Sequence, residues 1–374
     1  MACLLTLFSF TAAVQAASTA PQEIALTGTV ERFISIDNVC AWPNLTAMPD
    51  GSITAAIFNR PSHGQEEGSI DIWGSADGRF WEKRGTAAPN KPQTNRMHVA
   101  IGLANNRDLV ALVTGFTNIQ QPGQDKKLPF RDKYGEKKAG RRTHFLMPAW
   151  VCRSRDGGRT WTQVDQFPAP PEGWSTFIPY GDIVIGADGA LHATCYSSKT
   201  NAPVRTTNAW HFRSDDDGKT WRATSIIGTS HNETDLFHLG GKKWLAASRT
   251  VDTVALDLFR SDDDGATWSG RQKVAGVQQM PADLVRLSDG RLLLTYGNRV
   301  AGQFGVQAKL SRDNGMTWSI PIRLAHSVGR DCGYPSSIQR PDGSIVTAYY
   351  SAGVENHSRY HMGVVIWTPP APNP

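Results

Sequence analysis

Titratable side chains that could carry acid–base chemistry or bind an anion gather in two stretches of this 374-residue chain. Residues 61–67 hold His63 and Glu66 close together; a histidine can give or take a proton near neutral pH, and a carboxylate can act as general acid or base. Residues 125–142 carry eight lysines and arginines against three acids, and the whole chain has a net charge of +5. This basic segment could attract an anionic substrate. Each stretch is equally well explained as a solvated charged loop.

Four further candidates are single residues at or near the starts of predicted strands. They are Arg96, His98, Asp283 and Asp331. Each could line a binding pocket, and each is as well explained by a structural role. Whether these four side chains lie close together depends on how the fold arranges the strands that carry them.

A repeated octapeptide indicates what those elements are. The sequence Ser-x-Asp-x-Gly-x-Thr-Trp begins at Ser154, Ser214, Ser261 and Ser311, and a shortened copy spans residues 75–81. Ser and Asp side chains accept hydrogen bonds from turn amides, glycine takes a positive φ, and the tryptophan fills an apolar gap. We therefore expect each copy to be a structural hairpin turn within a repeat protein.

A second recurring pattern accompanies the octapeptides: an apolar strand, a turn that usually contains Asp-Gly, and another apolar strand. It occurs at residues 42–58, 97–114, 180–196, 233–248, 281–296 and 334–350. Two hairpins per repeat give four antiparallel strands, and radial placement of such units predicts an all-β, six-bladed β-propeller. Residues 24–36 are expected to supply the strand that closes the ring.

The N-terminus predicts export. Residues 4–14 are mostly apolar and are followed by a small-x-small site, so residues 1–16 resemble a signal peptide, although an apolar N-terminus without a targeting role is the alternative. The segment is too short to span a bilayer as a stable helix. We expect a secreted or periplasmic protein in which residues 17–374 form a single propeller domain, with the basic insertion at residues 117–145.

Two cysteines could form a disulfide. Cys40 and Cys332 hold matching positions in the first and last repeats, and a disulfide between them would join the two repeats if their inner strands approach closely enough.

No Cys/His spacing indicates a metal site, and no cofactor is expected. No basic stripe with interleaved aromatics indicates nucleic-acid binding. The sequence does not indicate an oligomeric state.

Five such octapeptides in a predicted six-bladed propeller resemble the sialidase superfamily, also called BNR-repeat or Asp-box proteins, and the octapeptides correspond to its Asp boxes. The resemblance covers nearly all of residues 17–374. It implies the fold more directly than an activity, because Asp boxes also occur in non-catalytic propellers and in enzymes that act on other sugars. It implies an active site at the mouth of the central channel, with a tyrosine nucleophile, a glutamate partner, an acidic acid/base and three arginines that clamp the substrate carboxylate.

Four residues match the family pattern. Tyr334 falls at the nucleophile position, Glu233 in Asn-Glu at its partner, and Arg249 at a clamp arginine, while Arg60 matches a secondary pocket arginine. A phenol suits an anionic sugar because a carboxylate nucleophile would be repelled by it. With an ordinary pKa of about 10, however, a phenol needs a base to take its proton.

Other positions depart from the pattern. Ala41 stands where the first clamp arginine is expected, and Pro335 follows the tyrosine in place of serine. The third clamp arginine is also missing, although Arg299 lies close enough in sequence to replace it. Glu66 is the carboxylate nearest to the expected acid/base, and His63 could serve instead. Because a bidentate arginine–carboxylate pair is geometrically specific, its loss predicts a different acidic substrate.

Three hypotheses follow. The first is an exported, retaining, sialidase-like glycoside hydrolase that releases a terminal acidic sugar, with sialic acid as the leading substrate. The second is a uronate-processing hydrolase or lyase in which His63 or His98 is the base, and the missing clamp arginine favours it. The third is a non-catalytic glycan-binding propeller. The presence of both Glu233 and Tyr334 argues against it, because binding alone needs no base beside a phenol. In each case the expected partner is an anionic glycan or oligosaccharide.

Overall fold

The computed structural model describes residues 23–26, 28–117, 145–200 and 206–371, and every regular element in these ranges is a β-strand. The predicted signal peptide and most of the basic insertion lie outside the described residues. Within the described ranges, no helix long and apolar enough to cross a membrane is found. The all-β class predicted from the sequence is confirmed.

The strands of the first half of the chain are β1 (Glu31–Asp37), β2 (Ala41–Ala47), β3 (Ile53–Phe58), β4 (Ile70–Ser75), β5 (Glu82–Ala88), β6 (His98–Leu103), β7 (Leu109–Thr114), β8 (Phe116–Thr117), β9 (Phe145–Leu146), β10 (Trp150–Ser154), β11 (Thr162–Val164), β12 (Ile178–Ile185) and β13 (Leu191–Ser198). Those of the second half are β14 (Thr207–Ser214), β15 (Arg222–Thr229), β16 (His231–Gly240), β17 (Lys243–Thr250), β18 (Leu256–Ser261), β19 (Ser269–Ala275), β20 (Gln279–Arg286), β21 (Leu292–Asn298), β22 (Gly305–Ser311), β23 (Ile322–His326), β24 (Cys332–Gln339), β25 (Ile345–Ser351) and β26 (His361–Trp367).

The described strands form six four-stranded antiparallel units, numbered here in chain order. Units 1 to 6 are β2-β3-β4-β5, β6-β7-β10-β11, β12-β13-β14-β15, β16-β17-β18-β19, β20-β21-β22-β23 and β24-β25-β26-β1. A short parallel pairing of Gly181 with Ala100 joins the inner strands of units 2 and 3 into one eight-stranded sheet. The strands β8 and β9 pair with each other at the base of the basic insertion.

The segment expected to close the ring does complete the last unit. It pairs with β26 from Glu31 onward, while Ile24, at its other end, forms a bridge with Ile322 of unit 5. The first strand of each unit, called its inner strand below, packs against the inner strands of the preceding and following units, and β24 packs against β2. The six strand starts are thereby brought together at one end of the fold.

Apolar packing between units holds this arrangement. The second strand of unit 1, for example, is buried along its whole length and supplies Phe58, which shares a core with Val113 of unit 2 and Tyr350 of unit 6. A strand buried on both faces needs a neighbouring sheet on each side. No unit could bury its faces alone, so the units stabilise one another.

The Asp boxes are structural turns, as predicted. In the box of unit 2, the Ser154 hydroxyl accepts a hydrogen bond from the Gly158 amide at 2.9 Å. The Asp156 carboxylate accepts one from the Thr160 amide at 2.9 Å and one from its hydroxyl at 2.6 Å. The indole N–H of Trp161 donates to the Gly158 carbonyl at 3.0 Å. These hydrogen bonds all form within the box, as a structural turn requires.

The disulfide between Cys40 and Cys332 is not formed, and all four cysteines of the described residues are buried free thiols. The reason is the direction of Cys332, whose sulfur lies 3.8 Å from the carbonyl oxygen of Asn298 and 4.0 Å from that of Gly305, both in unit 5. Its thiol therefore faces the preceding unit and not unit 1. Burial raises the pKa of the Cys332 thiol, which packs as a small apolar group.

Candidate functional site

Irregular starts of the inner strands build the candidate site. Five of the six inner strands have a register shift within their first residues, at Ala41/Asn44, Tyr180/Val184, His231/Thr234, Gln279/Ala282 and Gly333/Ser336. Residues within such a bulge leave the hydrogen-bonded ladder, and bulges beside active sites re-aim side chains in this way. Trp42, Glu233 and Tyr334 all lie within these shifts.

Tyr334, Glu233 and Arg249 form a hydrogen-bonded triad. The Tyr334 hydroxyl donates to Glu233 Oε1 at 2.7 Å. Arg249 Nη1 donates to Glu233 Oε2 at 2.5 Å and to Tyr334 Oη at 3.3 Å. Tyr334 comes from unit 6, and the other two residues come from the first two strands of unit 4. The triad therefore joins unit 4 to unit 6 and exists only in the folded chain.

The electrostatics of the triad keep the phenol protonated. Burial, followed by the neighbouring charge of Glu233, raises the pKa of Tyr334 above its ordinary value. Burial opposes the charge on Arg249, but the attraction of Glu233 outweighs it and raises the pKa of the guanidinium. Tyr334 can therefore attack an electrophile only if its proton passes to Glu233 in the same step, and the hydrogen bond between them already points that way.

A second polar cluster surrounds Asp331. Its carboxylate accepts hydrogen bonds from the hydroxyl of Tyr350 at 2.5 Å and from the hydroxyl of Tyr360, and His63 Nδ1 lies 3.1 Å away. Burial would raise the pKa of Asp331, but the bond from His63 and those from the two tyrosines hold it well below its usual range. An ionised carboxylate only accepts hydrogen bonds, so His63 carries its proton on Nδ1 and keeps Nε2 for another partner.

Arg299 links the two clusters. Its Nη2 donates to the Tyr350 hydroxyl at 2.7 Å, its Nε donates to the Cys332 carbonyl at 2.9 Å, and its guanidinium lies 5.5 Å from the ring centre of Tyr334. A cation at this distance from a ring face is attracted to it. Arg299 thus reaches the site although it lies a few residues before the position at which the family pattern expects an arginine.

Aromatic side chains line the space between the clusters. The Trp42 ring lies 4.9 Å from His63, edge to face, and 6.3 Å from Tyr334. The ring centre of Tyr180 lies 6.0 Å from that of Tyr334. Sugar rings present apolar faces that pack on such surfaces. Ala41, where the resemblance expects the first clamp arginine, is fully buried beside Trp42.

Other predicted site residues lie outside the two clusters. Arg60 is exposed and donates to the Glu67 carbonyl at 2.9 Å, and the amide of Glu66 donates to the Ser62 hydroxyl at 3.1 Å. Both therefore lie in the His63 loop, and neither of these bonds reaches the triad.

Arg96 and His98 belong to unit 2. The guanidinium of Arg96 stacks 3.5 Å over the Trp150 ring and is buried, which lowers its pKa to about 10. The His98 ring packs against Phe116 at 5.7 Å and against Tyr196 at 6.5 Å. These contacts place Arg96 and His98 among aromatic side chains of β8, β10 and β13.

Asp283 belongs to a set of three carboxylates on neighbouring inner strands, in which Asp235 and Asp283 are buried and Asp182 is half-buried. Asp235 Oδ2 accepts the Leu284 amide at 2.9 Å, and Asp283 Oδ2 accepts the Ser337 amide at 3.0 Å, so each links one inner strand to the next. Burial is the main cause that raises the pKa of all three. The contacts of Asp283 are those of a structural residue.

No trio of His, Cys, Asp or Glu at metal-ligand spacing occurs in the candidate site among the residues the structure describes, and the trio that does occur lies at the other end of the strands. Sequence reasoning missed Tyr350, Tyr360, Tyr180 and Trp42. Only Trp42 carried a sequence signal, since it matches Tyr334 in its spacing from a cysteine and a following proline.

Comparisons with known proteins agree with this fold. The family model described as BNR repeat-like domain matches residues 51–347. A protein of unknown function from Dyadobacter fermentans has a TM-score of 0.75 at 21% identity, over 91% of this chain and 99% of the other. The Hadza microbial sialidase Hz136 has a TM-score of 0.64 at 19% identity, over 89% of this chain and 66% of the other.

A mutant Trypanosoma rangeli sialidase that displays trans-sialidase activity has a TM-score of 0.66 at 15% identity, over 91% of this chain and 59% of the other. The present chain thus spans about two thirds or less of the length of these two sialidases. Comparison with curated proteins finds no match. Identities this low establish the fold, and the chemistry has to be argued from the site itself.

Proposed function

The chain belongs to the BNR repeat-like domain family, and from that premise we propose that it is a retaining glycoside hydrolase of the sialidase type. Its substrate in this proposal is a glycan that ends in an acidic sugar, sialic acid or a related acid. The proposal includes export, because residues 1–16 resemble a signal peptide. The alternatives are a uronate-processing enzyme and a glycan-binding protein without activity.

The hydrogen bond between Tyr334 and Glu233 carries the proposal. A half-buried phenol of unit 6 that donates at 2.7 Å to a carboxylate of unit 4 is the arrangement that a tyrosine nucleophile needs. Packing alone would be served by phenylalanine, and ligand binding would not require a base beside the hydroxyl. Tyr334 is not fully buried, so in this proposal a sugar can reach it at the strand starts.

The proposed reaction has two steps. In the first, Tyr334 Oη bonds to the anomeric carbon, its proton passes to Glu233, and the bond to the leaving oxygen breaks as an acid protonates that oxygen. In the second, water adds to the anomeric carbon, the bond to Tyr334 breaks, and Glu233 returns the proton to the phenolate. Two displacements retain the anomeric configuration. Arg249, bonded to both partners, stabilises the charge that moves between them.

His63 is the better placed of the two candidates for the acid that protonates the leaving oxygen. Asp331 fixes its ring through Nδ1 and leaves Nε2 available, in the manner of a carboxylate that orients a catalytic histidine. In its protonated form His63 would give the Nε2 proton to the leaving oxygen and take a proton from water in the second step. Glu66 remains the alternative, since it lies in the same loop.

The pair formed by His63 and Asp331 also favours the second candidate function, a uronate-processing enzyme. A histidine base held at 3.1 Å from a carboxylate could remove the proton at C5 of a uronic acid, and Arg299 could neutralise the neighbouring carboxylate. The C4–O bond would then break, the leaving oxygen would take up a proton, and a C4–C5 double bond would form without any bond to Tyr334. The two candidates therefore differ in whether Tyr334 is required.

A panel of fluorogenic sialosides, glucuronides and rhamnosides tested on the purified full chain distinguishes the proposals. Release of an acidic sugar with retained anomeric configuration, followed by NMR, supports the hydrolase. Formation of an unsaturated uronate from an oligosaccharide that carries a glycosidic substituent on O4 of its uronate supports the lyase. Glycan binding without turnover of any substrate contradicts both and leaves the binding protein.

A further inference from the structure

At the end of the strands opposite the candidate site, three potential metal ligands from units 3 and 4 converge. Asp188 lies in the turn between β12 and β13, His192 lies in β13, and Asp264 lies in the Asp box that follows β18. One donor atom from each lies within 4.8 Å of the other two. His192 Nε2 is 3.9 Å from Asp264 Oδ1.

His192 Nε2 is a buried nitrogen without a hydrogen bond. The side chain is fully buried, and Nε2 has no hydrogen-bond partner among the described residues. A β-carbon built on Gly186 would lie 2.8 Å from His192 Nε2 and 3.2 Å from Asp188 Oδ1, so the nitrogen and the carboxylate oxygen lie side by side. An unpaired polar atom in a native interior is costly and requires an explanation, such as a bound ion.

The neighbouring hydrogen bonds define the state of that nitrogen. The Thr224 hydroxyl donates to the His211 carbonyl at 3.1 Å, so at 2.6 Å it accepts from His211 Nδ1. His211 Nε2 is then a lone pair, and it accepts from His192 Nδ1 at 2.9 Å. A buried imidazole is most stable uncharged, so His192 Nε2 is also a lone pair. Three acceptors therefore face one another, and a cation between them would remove the conflict.

Hydrogen bonds from residues outside the trio hold the carboxylates of Asp188 and Asp264, and these bonds leave the Oδ1 atom of each carboxylate available to a metal ion. Arg213 bonds Asp188 Oδ2 and Asp264 Oδ2, each at 2.5 Å. Asp264 Oδ1 accepts one hydrogen bond from the indole of Trp244 at 3.0 Å, and Asp188 Oδ1 accepts one from the Ala190 amide at 3.1 Å. Each Oδ1 keeps a second lone pair. Such outer hydrogen bonds orient metal ligands in known sites.

We propose that Asp188, His192 and Asp264 bind a divalent transition-metal ion, for which Zn²⁺ is the probe. One imidazole nitrogen and two carboxylate oxygens are a common donor set for Zn²⁺. Ligand atoms around tetrahedral zinc lie about 3.3 Å apart, so the trio has to contract by less than about 2 Å. The side chain of Asp188 is 49% exposed, which provides an entry path and room for a water as fourth ligand.

The proposed ion links unit 3 to unit 4. Asp188 and His192 belong to the first hairpin of unit 3, whereas Asp264 belongs to the Asp box of unit 4. The strands separate this cluster from Tyr334, so the ion contributes to stability and not to catalysis. The sequence predicts no metal site because the ligands come from two units and lack a metal-binding spacing.

Equilibrium dialysis of the full chain against Zn²⁺, followed by metal analysis and thermal unfolding, tests the proposal. Asp188→Asn and His192→Gln remove one ligand each. Asp215→Asn is the matched control, because Asp215 is exposed and bonds Arg213 at 2.7 Å but lies outside the trio. We expect one strongly bound Zn²⁺ in the parent and the control, and at least about tenfold weaker binding in the other two variants.

The stability of the protein should increase with the occupancy of the proposed Zn²⁺ site. At a free Zn²⁺ concentration 100 times the Kd, the unfolding constant of the parent should fall about 100-fold, and a chelator should reverse the effect. Should His192→Gln fail to fold, Asp188→Asn still carries the test because that side chain is half exposed. The proposal is overturned if the parent binds no Zn²⁺, if Asp188→Asn binds it as tightly as the parent, or if bound Zn²⁺ leaves unfolding unchanged.

Discussion

Trp42 and Tyr334 occupy the same position in units 1 and 6. Each lies two residues after a buried cysteine and directly before a proline, and each has a left-handed backbone, with φ of 45° and 49°. Their ring centres lie 6.3 Å apart where the first and last units meet. Because non-glycine residues rarely adopt such angles, the surrounding fold has to stabilise both bulges, as happens at functional sites. Trp42 thereby supports the proposed nucleophile on one side and His63 on the other.

Replacing Trp42 with alanine should therefore reduce turnover. His63 loses its edge-to-face contact and Tyr334 loses a neighbour, and a misplacement of about 1 Å can cost about 100-fold in rate. Kinetics on the best substrate of the panel measure the loss. Trp161→Ala is the control, since it removes a half-buried tryptophan from an Asp box. Equal losses of kcat in the two variants would contradict the role given to Trp42.

The acid that protonates the leaving group can be identified by substitution and by varying that group. His63→Gln should slow substrates with poor leaving groups by about 100-fold or more, and substrates with good leaving groups far less, because only the former need the proton. Glu66→Gln should change both classes little. The reverse pattern would assign the acid to Glu66, and uniform losses in both variants would mean that neither residue is the acid.

The sequence predicted the repeat well because each Asp box satisfies its own hydrogen bonds within eight residues. Local chemistry of that kind recurs as a readable pattern, as it does from Ser154 to Trp161. The matches of Tyr334, Glu233 and Arg249 to a family pattern also predicted residues that meet in space. In a repeat fold whose site lies at the strand starts, the local sequence pattern and the three-dimensional contacts are expected to agree in this way.

The surroundings of Asp331 could not be predicted in this way. Tyr350 and Tyr360 lie 19 and 29 residues away in sequence, and His63 lies 268 residues away. The tyrosine contacts form within unit 6 and the His63 contact joins unit 6 to unit 1, and no local spacing records either kind. The thiol direction of Cys332 likewise depends on how neighbouring units pack, so the sequence left open whether Cys40 and Cys332 form a disulfide, and the structure shows both as free thiols.

The Asp boxes should contribute to stability and not to catalysis. Trp221 is 6% exposed and its indole donates to the Gly218 carbonyl at 3.2 Å, so Trp221→Ala should lower the free energy of unfolding by about 3–5 kcal/mol. Phe80→Ala, at a side chain 81% exposed in another box, should change it by less than about 0.5 kcal/mol. Denaturant unfolding measures both. An unchanged midpoint for Trp221→Ala would refute the structural role.

The buried carboxylates predict a dependence of stability on pH. Burial raises the pKa of Asp182 to about 7, so between about pH 4 and pH 7 the folded chain holds a proton that the unfolded chain has lost. This contribution to stability is lost as the pH rises through about 7.

Asp182→Asn removes the ionisable group and should show the effect directly. The variant should be more stable than the parent by about 2–4 kcal/mol near pH 8 and little different near pH 4. Asp165→Asn, at an exposed position, is the control and should show no such trend. A stability difference for Asp182→Asn that is the same at both pH values would contradict the assignment.

The central claim is that Tyr334 is a nucleophile with Glu233 as its base. Tyr334→Phe and Glu233→Gln should each lower kcat by several orders of magnitude while the fold and ligand affinity remain. The double variant should be little worse than either single variant, because residues that act as one unit are not additive. Near-parental turnover by Tyr334→Phe would leave the histidine-based uronate reaction as the better account.

The most direct measurement is mass spectrometry after incubation with a fluorinated analogue of the best substrate, which slows breakdown of a covalent intermediate. The account predicts a glycosyl adduct on Tyr334, found on the peptide that contains Ser336 and Ser337, and absent from Tyr334→Phe. An inactivated enzyme with its adduct on another residue, or a substrate that turns over with inverted anomeric configuration, would contradict it.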